Sequence, residues 1–123
     1  MKRLVLACLW LAAAAPLAAG DAPAPAPALE LTSVNIEYRG TKVWVPSTFI
    51  VRKGQRVRLT LINNAPSGVH GFAIDEFDIK AAVNNEEKDN KKVVEFTPTK
   101  TGLIRTYCHL HPAHIGGQIL VID

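Results

Sequence analysis

The sequence is short of sulfur. Its 123 residues contain two cysteines and one methionine, and both Met1 and Cys8 fall in an N-terminal stretch that reads as a secretory signal. Lys2 and Arg3 form a positive head, residues 4–17 are apolar, and Ala18-Ala19-Gly20 offers small residues for cleavage. With residues 1–20 removed, the chain keeps one cysteine (Cys108), one tryptophan (Trp44) and no methionine. A lone cysteine excludes an internal disulfide, although an exported or periplasmic chain occupies a compartment where disulfides persist. An excess of one charge is also missing. Of 14 basic residues, Lys2 and Arg3 leave with the signal, so 12 face 11 acidic ones, which argues against a basic surface for nucleic acid. No apolar run after residue 20 approaches the roughly 20 residues needed to span a bilayer. Two other readings of the N-terminus are an uncleaved anchor and lipidation at Cys8, which has little apolar sequence ahead of it.

The remaining length suits one domain. Residues 21–28 (DAPAPAPA) alternate alanine and proline, a composition that favours extended polyproline II and reads as a spacer. From residue 29 to 123 the chain consists of short β-type runs between turn residues, and no helical period is sustained. Val34, Ile36 and Tyr38 alternate with Asn35, Glu37 and Arg39, which predicts a strand that buries the first set. Turns follow at Arg39-Gly40-Thr41 and Lys53-Gly54-Gln55, with strand segments at 43–45 and 48–51 on either side of Pro46. Val57, Leu59 and Leu61 alternate with Arg56, Arg58 and Thr60 in the clearest half-buried strand. Residues 70–74, 93–96, 103–107 and 118–122 complete seven or eight strands, whereas the polar stretch 83–92 suits a helical turn or long loop. The expected fold is all-β, an antiparallel β-sandwich.

The chemistry concentrates near the C-terminus. All four histidines of the protein are His70, His109, His111 and His114, and three of them lie within six residues of Cys108. Thiolate and imidazole suit copper, zinc or iron, not magnesium or calcium, which prefer oxygen. A loop between two strands can turn so that residues 108, 111 and 114 point to one centre, with His70 as a fourth ligand from a distant strand end. The alternative for Cys108 is a buried apolar thiol. His109 is expected to point to solvent or to support the ligands from outside, and Glu76, a possible oxygen ligand, reads better as part of a solvated Asp75-Glu76 pair. Trp44 and Tyr107 read as core aromatics.

Asn63-Asn64-Ala65 followed by His70, the run Phe96-Thr97-Pro98-Thr99-Lys100-Thr101-Gly102, and Tyr107-Cys108-x-x-His111 before a last strand together resemble the small cupredoxins, such as plastocyanins and amicyanins. The resemblance covers about residues 45 to 122. It implies a Greek-key β-sandwich with one mononuclear copper site at one end, in which His70, Cys108 and His111 form the trigonal set. Short-loop cupredoxins continue Cys-x-x-His-x-x-Met, and His114 stands where that axial methionine would be. An imidazole there should weaken the copper–thiolate bond and lower the potential. Gly71-Phe72-Ala73-Ile74-Asp75 and Cys108-His109-Leu110-His111-Pro112 further resemble the nitrosocyanin-like red copper proteins, which carry a glutamate at the position of His70 and a last histidine later in the loop.

These features lead to the expectation of an exported one-electron carrier cycling copper between Cu(I) and Cu(II). A redox partner such as a cytochrome or oxidoreductase would dock on an apolar or mixed patch around His111 and His114. The rivals are a copper enzyme or a site for NO or O2 of nitrosocyanin type, a periplasmic copper storage or delivery protein, and a structural zinc site. A dinuclear copper centre would need a second cysteine.

Overall fold

β-Branched and aromatic residues fill the segments between turn signals, and these segments form strands in a computed structural model that describes residues 24–123. The proposed signal peptide and the first residues of the spacer lie outside that range. Residues 24–27 are exposed without regular structure. The strands are β1 (Leu29–Tyr38), β2 (Thr41–Val45), β3 (Thr48–Arg52), β4 (Val57–Asn63), β5 (His70–Ile74), β6 (Ile79–Val83), β7 (Lys91–Phe96), β8 (Gly102–Thr106) and β9 (Gly117–Ile122). Single 3-10 turns at Asp75–Phe77 and Glu87–Asp89 interrupt them, so the polar stretch contains a helical turn.

One sheet runs β2-β1-β4-β7 and the other β3-β9-β8. The β5-β6 hairpin extends the second sheet through Ala73 and Tyr107, which exchange backbone hydrogen bonds of 2.8 and 3.2 Å. Both sheets are mixed. β1 lies parallel to β4 and β3 parallel to β9, while the other pairs are antiparallel. Parallel neighbours arise because the chain crosses between sheets: β1 and β4 are separated by β2 and β3, and β3 joins the final strand.

The tight β1–β2 hairpin turns at Arg39-Gly40, with φ of 50° and 78° at the two residues, the left-handed pair that a two-residue hairpin demands. Between the sheets, Val57, Leu59 and Leu61 of β4 meet Phe72 and Ile74 of β5, Phe49 and Val51 of β3, and Ile119 and Val121 of β9. Each such side chain, fully buried, contributes about 1.5–3 kcal/mol.

Two strand expectations are corrected. In β1 the buried face is the odd one: Leu29 and Leu31 pack against the core, and Ser33 and Asn35 are 0% and 1% exposed, whereas Tyr38 is 51% exposed. Leu29 and Leu31 set the phase, and the inward Ser33 hydroxyl is satisfied by donating to Pro46 O, whereas the Asn35 side-chain oxygen is buried without a partner. β6, not expected from the sequence, forms because every residue from Ile79 to Val83 pairs with β5.

Candidate metal centre

β4, β5, β8 and β9 all reach the same end of the sandwich, where the connections 64–69 and 107–116 meet. Asn63 closes β4 there. Its side chain, 1% exposed, donates to Val83 O at 2.8 Å and Gly68 O at 3.1 Å and accepts from the Ala65 amide at 3.0 Å. It thereby folds the loop 64–69 back onto the hairpin that begins with His70.

The second connection winds in short turns. The His111 amide donates to Cys108 O (3.3 Å) and the His114 amide to His111 O (3.0 Å), so residues three apart face the same side. The exit is tied to β2 by the Ile115 amide, which donates to Lys42 O at 3.0 Å.

Together these loops bring His70, Cys108, His111 and His114 into one group whose candidate ligand atoms all lie within 4.8 Å of one another. His70 and Cys108 are buried, His114 half-buried and His111 exposed. The rings of His70 and His111 have centroids 5.3 Å apart, those of His70 and His114 5.1 Å, and His111 stacks on His114 at 4.5 Å. Cys108 Sγ lies 3.5 Å from His111 Nδ1 and accepts the Gly71 amide at 3.2 Å.

The donor set suits a soft or borderline metal. His70 Nε2 lies 3.0 Å from Ser67 O. A carbonyl only accepts, so Nε2 carries the proton and Nδ1 the lone pair. That Nδ1 is buried with no hydrogen-bond partner, as is Nδ1 of His114. A buried nitrogen without a partner is costly, and a metal held between these atoms and the thiolate would remove the cost. Burial pushes both imidazoles below the ordinary histidine range. The nearby His111 and Lys42 add to this, and the Ser67 carbonyl opposes it for His70. Neutral imidazoles are the form that binds metal.

The other sequence candidates lie elsewhere. His109 is half-buried outside the group; its ring covers Gly71, where a Cβ would come within 2.6 Å of Nδ1. Glu76 is exposed and borders a separate groove with Phe77 and residues 99–104. Trp44 is buried and meets Phe72 edge-on at 5.6 Å. Tyr107 stands outside the core cluster: its hydroxyl donates to Asp75 Oδ1 at 2.8 Å, which raises its pKa, and the Arg105 guanidinium sits 4.8 Å above its ring. Sequence reasoning missed the supports, Asn63, Ser67 and the Gly71 amide, because two of them act through the backbone and leave no side-chain signature.

A two-sheet β-sandwich with one cysteine and three histidines gathered at the end of its strands defines a class of metal-binding domain. Residues 3–121 match the model of the cupredoxin-like domain, and the chain belongs to that family. No curated protein matches the sequence. Among solved structures, it is similar to the metal-binding domain of the Cu(I)-exporting P-type ATPase CopA of Streptococcus pneumoniae D39, solved with Cu(I). That match has a TM-score of 0.59 and 18% identity, and covers 79% of this chain and 97% of that one. Reduced auracyanin from Roseiflexus castenholzii matches with a TM-score of 0.59 and 17% identity over 80% of this chain and 100% of its own. The periplasmic domain of cytochrome oxidase subunit II (CoxB) of Bradyrhizobium japonicum gives 0.60 and 14%, over 80% and 87%. At these identities the likeness establishes the fold. The fold together with the His/Cys group suggests copper binding. Among the described residues, no helix is long and apolar enough to cross a membrane.

Proposed function

We propose that this is an exported one-electron carrier with a single copper held by His70, Cys108, His111 and His114. The observation that carries the reading is the convergence of four donor atoms within 4.8 Å, two of them imidazole nitrogens with no other partner. When bound, copper supplies a Cu(II)/Cu(I) couple. The chain's own part is to hold the donors still: β5 fixes His70, the turns from Cys108 to His114 fix the other three, and the sandwich behind them limits rearrangement between oxidation states. His111 is exposed, and Leu110 before it and Ile115 after His114 are 44% and 43% exposed. This apolar rim suits a transient redox partner such as a cytochrome or oxidoreductase. His114 would offer copper an imidazole where short-loop cupredoxins offer a thioether, so the spectrum should depart from blue.

The test is copper titration followed by visible and electron paramagnetic resonance spectra. An intense thiolate band is expected, abolished in Cys108→Ser and moved in His114→Met. Tight zinc binding with no such band would refute the reading.

A cleft of about 130 Å³ bordered by Arg105, Tyr107, Cys108, His109, Pro112 and His114 favours a second reading, a site open to a small molecule such as NO or O2. Saturable turnover of NO or superoxide, with no reduction by a cytochrome, would select it over electron transfer.

A further inference from the structure

β2 supplies no ligand, yet it touches both segments that do. Its Lys42 carbonyl holds the Ile115 amide next to His114, and the indole Nε1–H of Trp44 donates to Gly71 O at 2.8 Å across 27 residues of sequence. Gly71 follows His70, and its amide is the hydrogen-bond donor on Cys108 Sγ. Gly71 is also pressed from above, since a Cβ there would meet His109 Nδ1 at 2.6 Å and the His109 amide nitrogen at 3.1 Å. One residue is thus gripped on its carbonyl by an indole and covered by the ring and amide of His109, the residue after the thiol. Trp44 is 5% exposed and is the single tryptophan after the proposed signal. Its edge-on contact with Phe72 needs only an aromatic ring, whereas the bond to Gly71 needs the indole nitrogen.

We propose that Trp44 is a positioning residue for the thiolate: its N–H anchors Gly71 so that the Gly71 amide stays directed at Cys108 Sγ and fixes how much charge the sulfur donates to the metal. The proposal rests on the copper reading above. A hydrogen bond to the sulfur withdraws electron density and favours the reduced state, so weakening it lowers the potential.

The experiment compares Trp44→Phe with Phe72→Leu in the full chain, copper-loaded. Trp44→Phe keeps an aromatic ring and removes the N–H; Phe72→Leu disturbs the same packing and leaves the indole bond intact. The expected result is a lower potential and a shifted thiolate band in Trp44→Phe, with both unchanged in Phe72→Leu. In the Cu(I) and metal-free forms, the Gly71 amide resonance should move upfield and exchange faster with solvent in Trp44→Phe alone. Equal shifts in the two variants, or none in either, would overturn the proposal by reducing Trp44 to packing. If Trp44→Phe does not fold, the unsubstituted protein decides: slow exchange of the indole proton and a through-bond coupling from Nε1 to the Gly71 carbonyl carbon are required, and a freely exchanging indole refutes the proposal. If copper gives no thiolate band in the unsubstituted protein, the copper reading falls by itself, and the metal-free Gly71 measurement still tests the anchor.

Discussion

Replacing Asn63 by alanine removes three hydrogen bonds in one step and leaves Val83 O, Gly68 O and the Ala65 amide without their partner. A typical intramolecular hydrogen bond contributes about 1 kcal/mol net, and an abandoned buried group costs about 1–3 kcal/mol. Gly68 is exposed, so water can reach its carbonyl; the other two bonds are buried. The expected loss is therefore about 3–4 kcal/mol, a large part of the 5–15 kcal/mol typical of a domain. For a domain of this size it corresponds to a fall in melting temperature of about 15–25 °C. The assay is urea unfolding of the metal-free protein followed by far-ultraviolet circular dichroism, with an unchanged slope and a lower midpoint. Asn63→Asp sharpens the test. It has nearly the shape of asparagine, but it sets a carboxylate oxygen against the Val83 and Gly68 carbonyls, so it should destabilise at least as much as alanine. A loss below about 1 kcal/mol in Asn63→Ala, or a well-tolerated Asn63→Asp, would refute the view that polar anchoring, not packing, holds the His70 loop.

Other changes probe the frame around the site. Gly117→Ala forces a Cβ against Ser47 O and to 2.8 Å from Thr106 Oγ1; since backbone cannot swing aside, overpacking should cost about 1–3 kcal/mol in the same urea assay. Leu59→Ala, at a fully buried position in β4, should cost about 2–5 kcal/mol, read by thermal melting. Lys53→Ala breaks an exposed ion pair with Asp123 and should change stability by less than about 1 kcal/mol at any salt concentration. Because His70 and His114 titrate below their unfolded values, the unfolded chain binds protons first on acidification. The metal-free protein should therefore hold its full stability above about pH 6.5 and lose it as pH falls through that value, with neutral-pH stability insensitive to small changes. Denaturation midpoints measured from pH 8 to 5 check the sign.

The sequence pattern is most informative where one physical effect dominates. In β4, burial alone sets the alternation, and Val57, Leu59 and Leu61 face the core as their spacing indicates. In β1, two effects compete. The even residues Val34 and Ile36 are the more apolar, yet the odd face turns inward because Leu29 and Leu31 share its phase and because the Ser33 hydroxyl finds a partner in Pro46 O. That partner lies 13 residues away, beyond any local window. β6 was hidden for the converse reason: Ile79–Val83 contains two alanines and a lysine, with weak strand preference, and owes its form to β5. The same division runs through the candidate metal centre. The spacing of residues 108, 111 and 114 is local and legible, since three-residue turns put them on one side. Nothing local marks Trp44 as the residue that holds Gly71, or Ser67 as the carbonyl that sets the His70 tautomer, because the indole reaches a backbone carbonyl 27 residues away and Ser67 acts through its own backbone. A sequence can therefore show which side chains are able to bind a metal, while the features that direct them lie in contacts that only the assembled sheets create.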